Sequence, residues 1–248
     1  MNYSLNYFLG FSLFILLFSL PVEEGERDTI SADPQSHESW NSLLKKHVDD
    51  NGNVNYRDFL GDIGLLANYI KALGNNPPTD SASKEEKLVY YINLYNAATV
   101  KLILDNYPLK SIKDIKSPWG RKWIKVGENT ISLNTIEHKI IRKLGEPRIH
   151  FAVNCASFSC PKLINKAFTL DNLEELLDSA SKDFINDPTR NRITADSAEI
   201  SEIFKWYTSD FTSNGTLIDY INQYRKVPIK AGTKLKYLKY DWSLNEMK

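Results

Sequence analysis

Apolar and polar positions recur with helical spacing through most of the chain. In "SWNSLLKKHV", Trp40, Leu43, Leu44 and Val48 fall at helical intervals, and "DDNGNVNY" follows as a turn into a short extended piece. His47 reads as a solvated helix position. "SKEEKLVYYINLYNAATVKLILDNYP" predicts the main helix: Ser83 and Glu86 have capping-box spacing, and Asn106 and Pro108 mark its end. Stepping about 100° per residue gathers Leu88, Ile92, Thr99, Leu102 and Ile103 on one side, with Lys87 and Lys101 on the other. Asn96 lands among the apolar positions and Asn93 beside them. An inward amide carries donors and acceptors that need partners, so each of the two either braces backbone or lines a site.

Downstream, "WIKVGENTISL" reads as a hairpin with a glycine-containing turn, and "SLNTIEHKIIRKLGEP" as a helix with Asn134 and Glu137 in capping-box spacing and Gly145 and Pro147 as stop signals. Relative to Ile136, Glu137 lies at about 100°, inside the arc held by Leu133, Ile140, Ile141 and Leu144, while His138 falls outside it. Glu137 is therefore expected to be buried and paired or protonated. "RIHFAVNCAS" reads as a buried strand ending near Asn154. Helices over "LDNLEELLDSASKDFIND", "SEIFKWYTSDF" and "GTLIDYINQYR" alternate with a hairpin in "RNRITADSAEI" and a final strand in "KLKYLKYDWSLN". The pattern is α+β: a single mainly helical domain around a small β-sheet with hairpins. Neither an internal repeat nor a phosphate-binding glycine loop is present.

Composition adds limits. The 248 residues are 42% hydrophobic and 25% charged, ordinary for one globular domain. Lys plus Arg and Asp plus Glu both number 31, so no global field draws the protein to a polyanion, and no nucleic acid partner is expected. The basic and aromatic stretch from Lys110 to Lys125 reads as a solvated rim. Phe8 to Leu20 is a charge-free apolar run of the size of a signal-peptide core. Residues 1–22 thus read as a signal peptide or N-terminal anchor, residues 23–37 as a disordered linker, and residues 38–248 as the domain. Export to the periplasm, outer envelope or exterior is expected, and an uncleaved segment would tie the protein to a membrane. An oxidising compartment also favours a disulfide.

Both cysteines lie in "HFAVNCASFSCP", residues 150–161, and admit three readings. As a thiol catalyst, Cys155 needs a histidine, and the chain's four (His37, His47, His138, His150) all precede it. Only a His-before-Cys arrangement is then open. In an extended strand His150 and Cys155 point to opposite faces, which makes His138 the better base, with Glu137 or Asn96 to orient it. The second reading is a Cys155–Cys160 staple in a non-catalytic, envelope-associated binding domain, for which Pro161 leaves the required loop open. A metal site is the third, but the spacing fits no strong template, and neither metal nor cofactor is expected.

Taken in order, "KLVYYINLYNAATVKLIL", "SIKDI", "ISLNTIEHKIIRKLGEPRIHFAVNCASFSCPKL", "FKWYTSDF" and "YLKYDWSLN" resemble the domain of unknown function 547, over residues 38–245. The resemblance implies no particular activity. It does imply that Asn93, Asn96, Glu137, His138, His150, Asn154, Cys155, Ser157, Ser159 and Cys160 lie inside the family's signature segments. So much Asn, Glu, His and Cys near apolar faces exceeds what a core needs. The leading expectation is a cysteine-dependent hydrolase or acyltransferase acting on a small molecule or peptide. Its catalytic set is Cys155, His138, Glu137 and Asn96, and its binding set Asn93, His150, Asn154 and Ser157.

Overall fold

A computed structural model describes residue 1 and residues 36–248 of the chain. The apolar run from Phe8 to Leu20 and the linker up to residue 35 lie outside the described residues. The linker's last residue is packed, not loose: His37 is buried in a left-handed conformation (φ 54°), with its Nδ1 2.7 Å from Tyr69 Oη. It leads directly into α1 (Glu38–His47). After α2 (Tyr56–Phe59), α3 (Ile63–Asn75) packs against α1 and against the long α4 (Lys84–Leu104). His47 is not solvated, because its ring stacks on Phe59 at 4.2 Å and its Nε2 lies 2.7 Å from Asp62 Oδ2. The helical stripe of α1 is wider than its aliphatic residues show.

The capping box read at the start of α4 is made: Ser83 Oγ accepts from Glu86 N–H (3.1 Å), and the Glu86 carboxylate accepts from Ser83 N–H (2.6 Å). From Leu88 onward, α4 is buried around almost its whole circumference and forms the axis of the larger core. The hairpin is also present, with β1 (Ile124–Val126) antiparallel to β2 (Asn129–Ile131) and packed on α3. Its Gly127 N–H donates to the Gly74 carbonyl at 2.8 Å, and a side chain at Gly74 would strike the Lys125 carbonyl at 2.3 Å.

Two expected elements differ. Residues 135–144 form a π-helical turn (Thr135–Ile140) followed by a 3-10 turn (Ile141–Leu144) instead of one α-helix. The strand expected over "RIHFAV" is a single buried helical turn, α5 (Ile149–Ala152), packed on α6 (Leu173–Asn186). An apolar run that is buried on every side has no period, so strand and helix look alike in it. Only at Val153 does the backbone become extended.

A three-stranded sheet follows, with β3 (Arg192–Ile193) antiparallel to β4 (Ala198–Ser201) and β4 parallel to β5 (Leu235–Leu238). The parallel pair needs a crossover, supplied by α7 (Ile203–Trp206), α8 (Thr208–Phe211) and α9 (Leu217–Asn222). These elements surround a second, aromatic core of Phe151, Phe184, Phe204 and Phe211. The fold is α+β. Ile164 and Trp242 pack against both cores.

Candidate functional site

The loop from Cys155 to Pro161 is fastened at nearly every residue. Asn154 donates to the Pro161 carbonyl (2.8 Å) and accepts from Ala156 N–H (2.7 Å), closing the loop on itself. Ala156 sits at φ 59°, a left-handed conformation that costs a non-glycine residue about 1–3 kcal/mol unless its surroundings enforce it. The C-terminal chain does so: Asn245 N–H donates to the Ala156 carbonyl (3.2 Å), and the Phe158 and Ser159 N–H groups donate to the Ser243 and Asp241 carbonyls. From the other side Arg190 donates to the carbonyls of Cys160 (2.9 Å) and Phe158 (2.8 Å), itself held by Asp187.

Both thiols are free. Cys155 N–H points at Cys160 Sγ (3.0 Å), and Cys155 Sγ lies 3.0 Å from Ser157 Oγ and 3.4 Å from Tyr240 Oη, with the two hydroxyls 2.9 Å apart. Hydrogen bonding from the Cys160 thiol and from these hydroxyls outweighs burial and lowers the Cys155 pKa to about 7. Burial and the adjacent Cys155 charge push Cys160 the other way. Cys155 is half-buried and Cys160 buried behind it.

Cys155 lies in a cleft of about 320 Å³ whose lining also includes Glu137, His138 and His150, so the structure gathers the sequence-predicted Cys, Glu and His residues around one opening. Trp119, Trp206, Tyr207, Tyr240 and Trp242 contribute aromatic walls. Glu137 is buried as expected but caps nothing. Its two oxygens accept from Tyr95 Oη (3.0 Å) and Tyr207 Oη, and Ser132 Oγ takes the Thr135 N–H instead (3.2 Å). Burial and the facing charges of Glu137 and Cys155 raise both tyrosines, which stay protonated as donors. Glu137→Gln puts an NH2 where one phenol donates, and should cost about 1–3 kcal/mol in a chemical denaturation series.

His138 is not paired with the thiol. Its Nδ1 faces Arg142 Nη1 at 3.1 Å, and since guanidinium only donates, Nδ1 accepts and the neutral ring carries its proton on Nε2, 3.9 Å from Glu137 Oε1. Among the described residues no imidazole lies within hydrogen-bonding distance of Cys155 Sγ. Arg142 also grips both oxygens of Asp210 (2.7 and 2.8 Å), and Asp210 Oδ2 holds His150 Nε2 at 2.8 Å. The His150 ring stacks on Tyr207 at 3.8 Å, and its buried Nδ1 has no partner among the described residues. Burial lowers the His150 pKa and keeps the ring neutral. The strand-parity objection to His150 falls with the strand, because one turn of helix brings it to the same cleft as Cys155.

Three predicted site residues, Asn154, Asn96 and Asn93, brace backbone. Asn96 donates to the Ala152 carbonyl (2.9 Å) and accepts from Asn154 N–H (2.9 Å), so its hydrogen bonds go to backbone and neither reaches a histidine. Asn93 makes the same two bonds to Phe168, away from the cleft. Tyr95, Arg142, Tyr207, Asp210, Tyr240 and Trp242 were not singled out as site residues from the sequence. Arg142 follows His138 by one helical turn and is the member that spacing alone reaches.

Residues 79–185 match the model of the family described as "Protein of unknown function, DUF547". This stretch belongs to the DUF547 family. No curated protein and no solved structure matches the chain. The DUF547 match holds Glu137, His138, Arg142, His150, Cys155 and Cys160, while Tyr207, Asp210, Tyr240 and Trp242 lie beyond it. The cleft is therefore assembled from the DUF547 segment and from the chain that follows.

Proposed function

We propose that the protein is a cysteine-dependent hydrolase or acyltransferase with Cys155 as its nucleophile. The carrying observation is the setting of the sulfur: half-buried in an aromatic cleft, hydrogen-bonded by Ser157 and Tyr240, and backed by Cys160. Such donors stabilise a thiolate directly, so activation needs no imidazole base and the proton leaves to solvent. The thiolate attacks the carbonyl carbon of an ester, thioester or amide. A carbon–sulfur bond forms, the leaving group departs with a proton, and water or an acceptor then cleaves the acyl-sulfur bond. His138 serves as a hydrogen-bond donor in the cleft, through Nε2–H, with Arg142 holding its tautomer.

Mixing the protein with p-nitrophenyl acetate should give a burst of one equivalent of nitrophenolate, an acetyl adduct mapped to Cys155, and slower steady release. Cys155→Ala should lose burst and adduct together. A burst that persists in Cys155→Ala, or the absence of any adduct on Cys155, contradicts the reading.

A further inference from the structure

An acyl-transfer site does not need a second thiol against its nucleophile, and this cleft has one. Cys160 is buried behind Cys155 on the same loop, and its sulfur receives the Cys155 N–H at 3.0 Å. The loop holding the pair is clamped by Asn154, Arg190 and the C-terminal chain, so the contact is built into the backbone. Two hydroxyls, Ser157 Oγ and Tyr240 Oη, stand beside the outer sulfur and touch each other. The opening toward solvent is walled by Trp206, Tyr207, Tyr240 and Trp242, which suits an aryl or alkyl group.

We propose a further activity for this cleft: reduction of organic hydroperoxides, with Cys155 as the sulfur that is oxidised and Cys160 as the thiol that resolves it. The Cys155 thiolate attacks the terminal oxygen of ROOH. A sulfur–oxygen bond forms, the oxygen–oxygen bond breaks, and the departing alkoxide takes a proton through the Ser157 and Tyr240 hydroxyls to leave as ROH. Cys155 is then a sulfenic acid, oxidised by two electrons. Cys160 attacks that sulfur, a disulfide forms, and the hydroxyl leaves with the Cys160 proton as water. A dithiol reductant restores both thiols and becomes a disulfide itself. The lowered pKa of Cys155 supports the first step, since it places about fifteenfold more thiolate at pH 7 than an ordinary thiol of pKa about 8.5. The inference shares Cys155 with the acyl-transfer reading but no acyl group takes part, so either can fail alone.

The test uses the full chain, pre-reduced and freed of reductant, with cumene hydroperoxide as probe. Wild-type protein should consume one equivalent and become two protons lighter by intact mass. With dithiothreitol present it should turn over, about tenfold faster than Cys155→Ala. Cys160→Ser should consume one equivalent and stop at a sulfenic acid that dimedone traps, with its thermal unfolding checked to show that it folds. Cumene hydroperoxide should react faster than hydrogen peroxide, which lacks the apolar group the walls accept. A wild-type protein that keeps both thiols under excess hydroperoxide overturns the proposal. So does a Cys155→Ala variant that matches wild type, or a Cys160→Ser variant that gains no dimedone adduct.

Discussion

Asn96→Ala is expected to destabilise the protein by about 2–6 kcal/mol, because it leaves two buried backbone groups without partners at about 1–3 kcal/mol each. The groups are the Ala152 carbonyl and the Asn154 N–H, which frame the passage from α5 into the cysteine loop. Asn96 is 3% exposed, so water does not take over either bond. Domains have only about 5–15 kcal/mol in total, which makes this a large share. Urea denaturation of wild type and variant measures it, and a loss below about 1 kcal/mol would show that the amide is not the brace described.

Asp210→Ala is the second large effect, expected at about 1.5–3 kcal/mol after allowing for the solvent that reaches Asp210 and Arg142. It strips the carboxylate from Arg142 and from His150 at once. Its pH dependence carries more information. The Arg142 guanidinium and the His150 imidazole hold the Asp210 carboxyl well below the usual range. A depressed folded pKa stabilises above the unfolded value of about 3.9, and that stabilisation is lost as pH falls through the folded value. His150 is depressed too, by burial, so its share is present above about 6.5 and is lost on acidification below that. Without Asp210, a protonated His150 has no counter-charge. The variant should therefore fall further behind wild type between about pH 6.5 and pH 4, then recover relative to it below about pH 4 as Asp210 itself protonates. Unfolding free energies at three pH values decide this, and parallel losses in both proteins would contradict the coupling.

The parts of the molecule legible in the sequence are those with a local cause. Ser83 and Glu86 make their capping box because the pairing spans one turn, and the hairpin at Gly127 forms because a short turn sets its own register. Glu137 was placed in the core by angular arithmetic and is there at 6% exposure, although the backbone is a π-helical turn. Its partners were not legible, since Tyr95 and Tyr207 come from distant segments whose phenols look like ordinary core aromatics. The position of His150 is hidden by an apolar run without a period, and whether Asn96 braces backbone or lines a site depends on where the fold puts Ala152 and Asn154. Asp210 is invisible from sequence because it meets Arg142 and His150 only once the crossover after β4 folds back.

The central claim, that Cys155 is a poised nucleophile, is tested most directly by iodoacetamide alkylation of the reduced full chain as a function of pH, read by peptide mapping. Cys155 should label first, with a midpoint near 7, while buried Cys160 stays unlabelled in the folded protein. Labelling of Cys160 ahead of Cys155, or a Cys155 midpoint at the ordinary thiol value of about 8.5, would contradict it.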